Sequence, residues 1–229
     1  ESFKSFFVPQ HTLKNEMFNL KLPEIKDEDL PKISVVTVVN NCRDIFSLSL
    51  KNFEESFYPK DKIEWIVYEE TDGDEDKCIK DLLSEVRNLK YIKGDNKGKF
   101  NLGQSLDRAV SHCTEDIIVM MNTMGFYSRE NLLSRVKLLV KYPDLLGVGT
   151  DKLGYYDLIH KKSYLNKNNS ELFLSSLGLR KKAWEERKFS SNNFFEGRVD
   201  NFINIPHTFI QYGIILGTEE SQNTTHQQL

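Results

Sequence analysis

The stretch ISVVTVV, residues 33–39, consists of β-branched residues except for Ser34 and has no charged side chain. Such a run is typical of a strand that is buried on both faces, as in a parallel sheet. Residues 45–57 follow with helical spacing of their large apolar side chains, and Pro59 ends that pattern. The sequence therefore predicts a buried strand followed by an amphipathic helix that packs on it.

The same alternation continues along the chain. Strand patterns at 62–68, 89–92 and 116–121 alternate with helical patterns at 77–88, 102–113 and 128–142. This order predicts an α/β fold with a mainly parallel sheet and right-handed crossovers. Because ligands of such sheets bind beyond the carboxyl ends of the strands, we expect the loops at 37–41, 69–76 and 122–125 to meet in space.

The later part of the chain is less regular. We expect short strands at 147–150, 154–159, 172–179, 202–205 and 209–216, and a helix at 181–187. Residues 1–30 form a polar N-terminal extension that wraps the domain or contacts a partner, residues 31–217 one α/β domain, and residues 218–229 a polar tail that frays.

Composition narrows the choice of partners and compartment. The chain has 229 residues, 39% of them hydrophobic, and a net charge of −3, which gives no basic field for nucleic acid. Its apolar runs fall short of the roughly 20 residues that a membrane span needs. The three cysteines, Cys42, Cys78 and Cys113, lie far apart, which argues against structural zinc and a disulfide framework. A reducing compartment is the simpler interpretation.

Six segments in register give a family resemblance. ISVVTVVNNC at 33–42 resembles the opening strand I-S-V-V-T-P-T-Y-N-R of family-2-type glycosyltransferases with the GT-A fold, most closely those of large DNA viruses and some bacteria. The other segments that resemble this family are LKNFEESFYP at 50–59, IEWIVYEE at 63–70, IVMMNTMGFY at 118–127, the helix at 128–143 and WEERKF at 184–189. The resemblance implies a Rossmann-like, mainly parallel sheet flanked by helices, with a smaller mixed sheet on the acceptor side.

An inverting sugar transfer, which this resemblance implies, needs a stabilised diphosphate leaving group and a carboxylate base. The family's acidic metal cluster corresponds here to Asn122, Thr123, Met124 and Gly125, none of which is a carboxylate. Asn122 offers one neutral oxygen and Met124 a soft sulfur, whereas hard cations prefer carboxylate oxygens. We therefore expect a degenerate DXD motif and no metal cofactor, with a divalent metal only if the chain is nevertheless an active enzyme.

The resemblance also places the other candidate residues. Thr37, Asn40, Glu69, Glu70 and Asp72 lie where the family binds the nucleoside. Lys97 and Lys99 lie upstream of a lost basic pair, now Ser105 and Leu106, and are the candidates to substitute for it. In the segment after WEERKF, Glu196 is the candidate base and Asp200 the second choice. An acidic or lysine-containing loop that is simply solvated is the competing interpretation of these residues.

The resemblance also implies an aromatic residue that packs the base just after Thr37, but residues 38–40 are VVN. The metal cluster, the basic pair and this aromatic residue are thus all lost from a preserved scaffold. This favours a catalytically inactive glycosyltransferase-like domain, because packing and chemistry rest on different residues. We expect a structural or interaction protein with protein partners, cytoplasmic or part of a large-virus virion. The alternatives are an active, metal-independent nucleotide-sugar glycosyltransferase and a nucleotide-sugar binding module without turnover.

Overall fold

The computed structural model describes residues 22–70, 75–95, 100–157, 161–167, 172–191, 194–195, 201–204 and 212–215. In this part of the chain the elements are, in order, β1 (Ile33–Asn40), α1 (Phe46–Glu55), β2 (Ile63–Glu70), β3 (Leu89–Lys93), α2 (Leu102–Ser111), β4 (Ile117–Met120), β5 (Gly125–Phe126), α3 (Asn131–Lys141), β6 (Gly147–Gly149), β7 (Lys152–Asp157), β8 (Lys162–Lys167), β9 (Gly178–Arg180), α4 (Lys181–Glu186), β10 (Phe202–Asn204) and β11 (Tyr212–Ile215). The N-terminal extension up to residue 21 and the tail after residue 215 lie outside the described residues.

A seven-stranded sheet with the order β10-β6-β9-β4-β1-β2-β3 forms the centre of the fold. Strands β4, β1, β2 and β3 are mutually parallel, as are β10 and β6. Strand β9 runs antiparallel to both of its neighbours, β4 and β6. The predicted mainly parallel α/β sheet is confirmed, and β9 is its one reversed strand in the described part of the chain.

Helices cover both faces of this sheet because β1 is apolar on both sides. Val35 and Val39 belong to a buried cluster with α1 and α3, in which the rings of Phe53 and Trp65 stack with centroids 4.4 Å apart. Val36 and Val38 belong to the opposite cluster, which contains side chains of α2 and α4. The fold therefore has three layers, with helices on both sides of the sheet. The carboxyl ends of the parallel strands lie along one edge of the sheet.

A second, four-stranded sheet with the order β5-β11-β7-β8 is mixed in direction. Strand β5 pairs antiparallel with β11, β11 pairs parallel with β7, and β7 pairs antiparallel with β8. This agrees with the smaller mixed sheet that the family resemblance implies. Since β5 begins at Gly125, the second sheet starts within the segment at 122–125 that the sequence comparison predicts to correspond to the metal cluster.

Two of the predicted elements differ from the structure. The helix expected at 77–88 is wrong, and two 3-10 turns (Glu75–Lys77 and Lys80–Leu83) stand in its place. The amide of Ile79 donates to the buried carboxylate of Glu69 instead of a helical carbonyl, which interrupts the helical hydrogen-bond pattern. The strand expected at 172–179 is limited to β9, because residues Leu174–Ser176 form another 3-10 turn.

Strand β8 was not predicted from the sequence, and its pairing with β7 supplies one edge of the second sheet. Its exposed Leu165 and its polar neighbours do not form the apolar run or clear alternation that marks a buried strand. Among the described residues, no helix is long and apolar enough to cross a membrane.

Candidate functional site

The carboxyl ends of β1, β2 and β4 meet along one edge of the main sheet. In the register of β1 and β2, Asn40 lies beside Glu70, and the amide of Met121 donates to the carbonyl of Val36 over 2.9 Å. Beyond the strands, burial raises the pKa of the Cys42 thiol, and the neighbouring Thr123 side chain partly offsets that rise. The loop after β1 therefore contacts the segment after β4, as expected from the parallel sheet.

A cleft of about 350 Å³, a volume that includes its open mouth, lies at this edge on the α2 face of the sheet. Its walls come from β1, β4, α2 and the turn before β9. The lining residues are Val36, Val38, Leu102, Leu106, Met120, Met121, Asn122, Leu174 and Ser175. The cleft has the location of a ligand site in an open α/β sheet, but its lining is mostly apolar and contains no charged side chain.

The segment Asn122 to Gly125 contributes only Asn122 to this lining. Thr123 and Met124 are 1% and 8% exposed, and the carbonyl of Gly125 accepts a hydrogen bond of 2.8 Å from the Asn52 amide. The segment thus offers one amide oxygen, a buried hydroxyl, a thioether and an occupied carbonyl. These donors do not fit Mg²⁺ or Mn²⁺, which require several hard oxygen ligands.

Residues from two other elements hold this segment in place. The Asn52 side chain of α1 also accepts from the amide of Tyr127 over 3.1 Å. The nitrogen and the oxygen of its side-chain amide are thus both hydrogen-bonded to the backbone at β5. The Tyr127 hydroxyl accepts from the amide of Asn122 over 2.7 Å and donates to the carbonyl of Ser175 over 2.9 Å. Because burial raises the pKa of Tyr127 to about 12, its phenol remains a neutral donor at physiological pH.

Arg135 of α3 is a fully buried cation behind this edge. Its guanidinium donates to the carbonyls of Met120 and Leu177, each over 2.9 Å, and to the Asn131 side chain. It also lies over the ring of Tyr127, 5.6 Å from the ring centroid. Burial lowers the pKa of Arg135 to about 10, which still leaves it charged at neutral pH, and no described carboxylate forms an ion pair with it.

Two predicted nucleoside-site residues, Thr37 and Glu69, are fully buried. The Thr37 hydroxyl accepts from the indole of Trp65 over 2.9 Å. The Glu69 carboxylate accepts from the amide of Ile79 over 3.0 Å and from the Tyr91 hydroxyl over 2.6 Å. Their functional groups are therefore already bonded within the protein, on the face of the sheet opposite the cleft.

Glu70 lies on the same face as the cleft but forms its own network. Its carboxylate binds Arg108 over 2.8 Å and accepts from the Ser105 hydroxyl over 2.6 Å, while Arg108 also pairs with Asp95 over 3.0 Å. Asn40 is half-buried at the end of β1. The remaining candidates, Asp72, Lys97, Lys99, Glu196 and Asp200, lie outside the described residues.

Asp107 on α2 has a structural role that the sequence did not indicate. Its Oδ1 accepts from the Trp184 indole over 2.9 Å and from the amide of Phe189 over 2.8 Å, and its Oδ2 accepts from the amide of Ser190 over 3.0 Å. The carboxylate therefore joins α2 to α4 and to the residues that follow α4.

We expect Asp107→Ala to lower the free energy of unfolding by about 2 kcal/mol, because three donors lose a charged acceptor. Asp107→Asn is expected to lower it by about 1 kcal/mol, because the amide retains one acceptor oxygen. Urea denaturation followed by far-UV circular dichroism measures both values. Equal stability of Asp107→Ala and the unmodified chain would show that these hydrogen bonds contribute nothing to stability.

Comparison with known proteins shows which solved structures have a similar architecture. No protein-family model and no curated protein matches the sequence. Among solved structures, the chain is similar to mannosyltransferase PcManGT from Pyrobaculum calidifontis in complex with GDP-Man and Mn²⁺, with a TM-score of 0.60, 16% identity, and coverage of 91% of this chain and 64% of that one. It is also similar to S. aureus TarS 1-349 in complex with UDP-GlcNAc, with a TM-score of 0.59, 13% identity, and coverage of 83% of this chain and 60% of that one.

A further similar structure is S. aureus TarS 1-349 in complex with UDP, with a TM-score of 0.60, 11% identity, and coverage of 84% of this chain and 62% of that one. At these identities the likeness establishes the fold alone. The chain has a GT-A, glycosyltransferase-like fold and spans less than two thirds of the length of these neighbours.

Proposed function

We propose that this chain is a glycosyltransferase-like domain that does not catalyse metal-dependent sugar transfer and that serves as a structural or interaction protein. The observation that carries the proposal is the set of donors at Asn122 to Gly125. One side-chain amide lines the cleft, Thr123 and Met124 are buried, and the Gly125 carbonyl is bonded to Asn52. A hard divalent cation would find no carboxylate in this segment.

The nucleoside side of the site supports the same proposal. For Glu69 to bind a base or ribose, its carboxylate would have to leave the Ile79 amide and the Tyr91 hydroxyl inside the core. Leaving buried donors without an acceptor costs about 1–3 kcal/mol for each group. Thr37 is bound to Trp65 in the same core. Both side chains therefore stabilise the fold in the place where the family uses them for binding.

One observation favours an active, metal-independent transferase as the second candidate. The Arg108 side chain is 43% exposed at the same edge, and it would balance a diphosphate without metal by exchanging its ion pairs with Glu70 and Asp95 for the phosphates. In this alternative Lys97 and Lys99 would add positive charge, and Glu196 or Asp200 would accept the proton of the acceptor hydroxyl. The binding module without turnover follows from the cleft and from the nucleotide sugars bound by the structural neighbours.

In the preferred proposal the partners are proteins, which contact the scaffold or the extension at residues 1–30. The resemblance to glycosyltransferases of large DNA viruses is the reason for proposing a virion component as the setting. A reducing environment remains the proposed compartment, because free thiols are found at Cys42, Cys78 and Cys113.

Isothermal calorimetry with UDP-sugars and GDP-sugars, with and without Mn²⁺, tests the proposal. We expect no Mn²⁺-dependent heat at millimolar donor and no release of nucleotide in a parallel hydrolysis assay. Mn²⁺-dependent binding with donor hydrolysis, lost in Glu196→Gln, would contradict the proposal. Binding without Mn²⁺ and without hydrolysis would favour the binding module instead.

Asn122→Asp is the matched gain-of-function control, because Asn122 alone of the four residues lines the cleft. Combined with Met124→Asp it is expected to give Mn²⁺ binding in the millimolar range, since carboxylates then occupy two family positions. The buried Met124 site makes the double variant less stable, so its folding is checked by circular dichroism. Absence of Mn²⁺ binding in a folded double variant would contradict the alignment of this segment with the metal cluster.

A further inference from the structure

Strand β8 (Lys162–Lys167) is the outer strand of the second sheet. It pairs with β7 on one side, and in the part of the chain that the structure describes no strand pairs with its other side. In a strand at such an edge, the backbone N–H and C=O groups of alternate residues point away from the sheet. An extended segment can add to these groups as a further strand.

The middle of β8 lacks the features that normally protect an edge strand. Residues 163–166, SYLN, contain neither a charged residue nor a proline. Leu165 is 56% exposed, more than any other large hydrophobic residue in the described ranges. Its partner in the β7 register is Gly154, which has no side chain to cover it. A strand added outside β8 would place a side chain beside Leu165 on the same face of the sheet.

Strand β3, an outer strand of the main sheet, shows the usual protection by contrast. Its exposed residues are Lys90 and Lys93, and the three residues between and before them are half-buried. Lysines along an edge disfavour the approach of another strand. The two edges therefore differ, because β8 exposes a leucine in an uncharged centre where β3 exposes lysines.

Positive charge flanks the uncharged centre of β8. Residues 161–167 contain three lysines and no acidic residue, although the chain as a whole has a net charge of −3. Two of these lysines, Lys161 and Lys162, are exposed. The one acidic residue opposite β8 in the β7 register is Asp157, which is buried. An incoming strand thus meets a positively charged edge, which favours an acidic segment.

The same lysines disfavour the pairing of β8 with β8 of a second copy of the chain. An antiparallel pair that matches the two strands over their full length would place Lys162 of each copy opposite Lys167 of the other. Like charges directly opposite each other destabilise a strand pair. An acidic segment from a different protein would meet these lysines with opposite charge instead.

We propose that the outer edge of β8 binds an extended acidic segment of a partner protein by strand addition. Successive side chains of a strand lie on opposite faces of the sheet, so Lys162 and Leu165 are on different faces. A segment in which acidic and apolar residues alternate therefore pairs an acidic side chain with Lys162 and an apolar one with Leu165. This inference rests on the proposed role as an interaction protein, and it adds the chemistry of the partner.

Binding of synthetic peptides to the full chain tests the proposal. The probe is a fluorescent peptide of about ten residues in which glutamate and valine alternate, and fluorescence anisotropy is expected to give a Kd of roughly 10–100 μM. A lysine–valine peptide of the same length is expected to bind at least about tenfold more weakly. So is the glutamate–valine peptide with N-methylated central residues, because it keeps its charge but cannot donate strand hydrogen bonds. The acidic peptide is also expected to slow hydrogen exchange at the amides of residues 163–166.

Lys162→Glu and Lys90→Glu form the matched pair of variants, because both reverse the charge of an exposed lysine on an edge strand. Lys162→Glu is expected to raise the Kd of the acidic peptide at least about tenfold, and Lys90→Glu to leave it within about twofold. Absence of binding at millimolar peptide, equal Kd values for the three peptides, or slower exchange only outside β8 would each overturn the proposal. A dimer of the chain with protected β8 amides would overturn it in favour of a second copy. Since β8 contributes no residue to the cleft, these results are separate from the calorimetry with nucleotide sugars.

Discussion

Arg135→Ala is expected to lower the free energy of unfolding by about 3–4 kcal/mol, one of the two largest effects in this chain. The side chain is fully buried, and its guanidinium joins the carbonyl of Met120 in β4 to the carbonyl of Leu177 before β9. Alanine removes these hydrogen bonds and the one to Asn131, and it leaves a cavity beneath the ring of Tyr127.

Arg135→Met separates the volume of this side chain from its charge. Methionine fills most of the space, and it removes a buried cation that no described carboxylate neutralises. Since an unpaired buried charge is costly, part of the lost hydrogen bonding is offset, and we expect a loss of only about 1–2 kcal/mol. Urea denaturation gives both values, provided that the m-value stays constant.

Arg129→Ala is the exposed control for Arg135. Within the described ranges, Arg129 pairs with Glu55 at 3.4 Å, and its side chain is 58% exposed. A surface pair of this kind contributes about 0–1 kcal/mol. Equal effects of Arg129→Ala and Arg135→Ala would contradict the structural role of the buried guanidinium. A loss for Arg135→Met as large as that for Arg135→Ala would show that hydrogen bonds, rather than volume, dominate.

Most of the main sheet could be predicted from the sequence because its signals are local. The apolar run of β1 and the pattern of α1 lie within short windows, and the structure places both close to the predicted residues. The position of the segment at 122–125 followed from the same order of elements. Its convergence with the loop after β1 is a consequence of parallel strands, whose carboxyl ends share one edge.

The hydrogen bonds that hold the candidate site in place could not be predicted from the sequence, because they join distant parts of the chain. Asn52 reaches β5 across 73 and 75 positions of sequence, and the Tyr127 hydroxyl reaches Ser175 across 48. A polar residue on the apolar face of a predicted helix was the available signal for Asn52 and Arg135. Such a residue indicates a buried hydrogen bond but does not identify its partner.

The burial of the charged residue Glu69 could not be predicted from the sequence either. An acidic residue at the end of a strand normally faces solvent, and the sequence could not distinguish that state from burial. The structure supplies its partners from β3 and from the turns after β2, which were expected to be a helix. The error in the helix at 77–88 and the misjudged solvation of Glu69 thus have one physical cause.

Glu69→Ala is expected to lower the free energy of unfolding by about 3–4 kcal/mol. It leaves the amide of Ile79, the Tyr91 hydroxyl and the Cys78 thiol without their acceptor in a buried site. Burial is the largest cause of the raised pKa of Tyr91 and persists in the variant, so the phenol stays protonated at neutral pH and lacks an acceptor. Urea denaturation measures the change, and hydrogen exchange at the Ile79 amide reports the local opening.

Glu69→Gln and Glu70→Ala are the control variants for Glu69→Ala. Glutamine keeps one acceptor oxygen for Ile79, so we expect a loss of about 1–2 kcal/mol. The carboxylate of Glu70 is 14% exposed and its partner Arg108 is half-exposed, so Glu70→Ala is expected to cost only about 1 kcal/mol. A Glu69→Ala variant that lost nucleotide-sugar binding at unchanged stability would contradict the structural role. A variant that lost stability while the chain bound no donor would support the proposal that the family's binding position now serves the core.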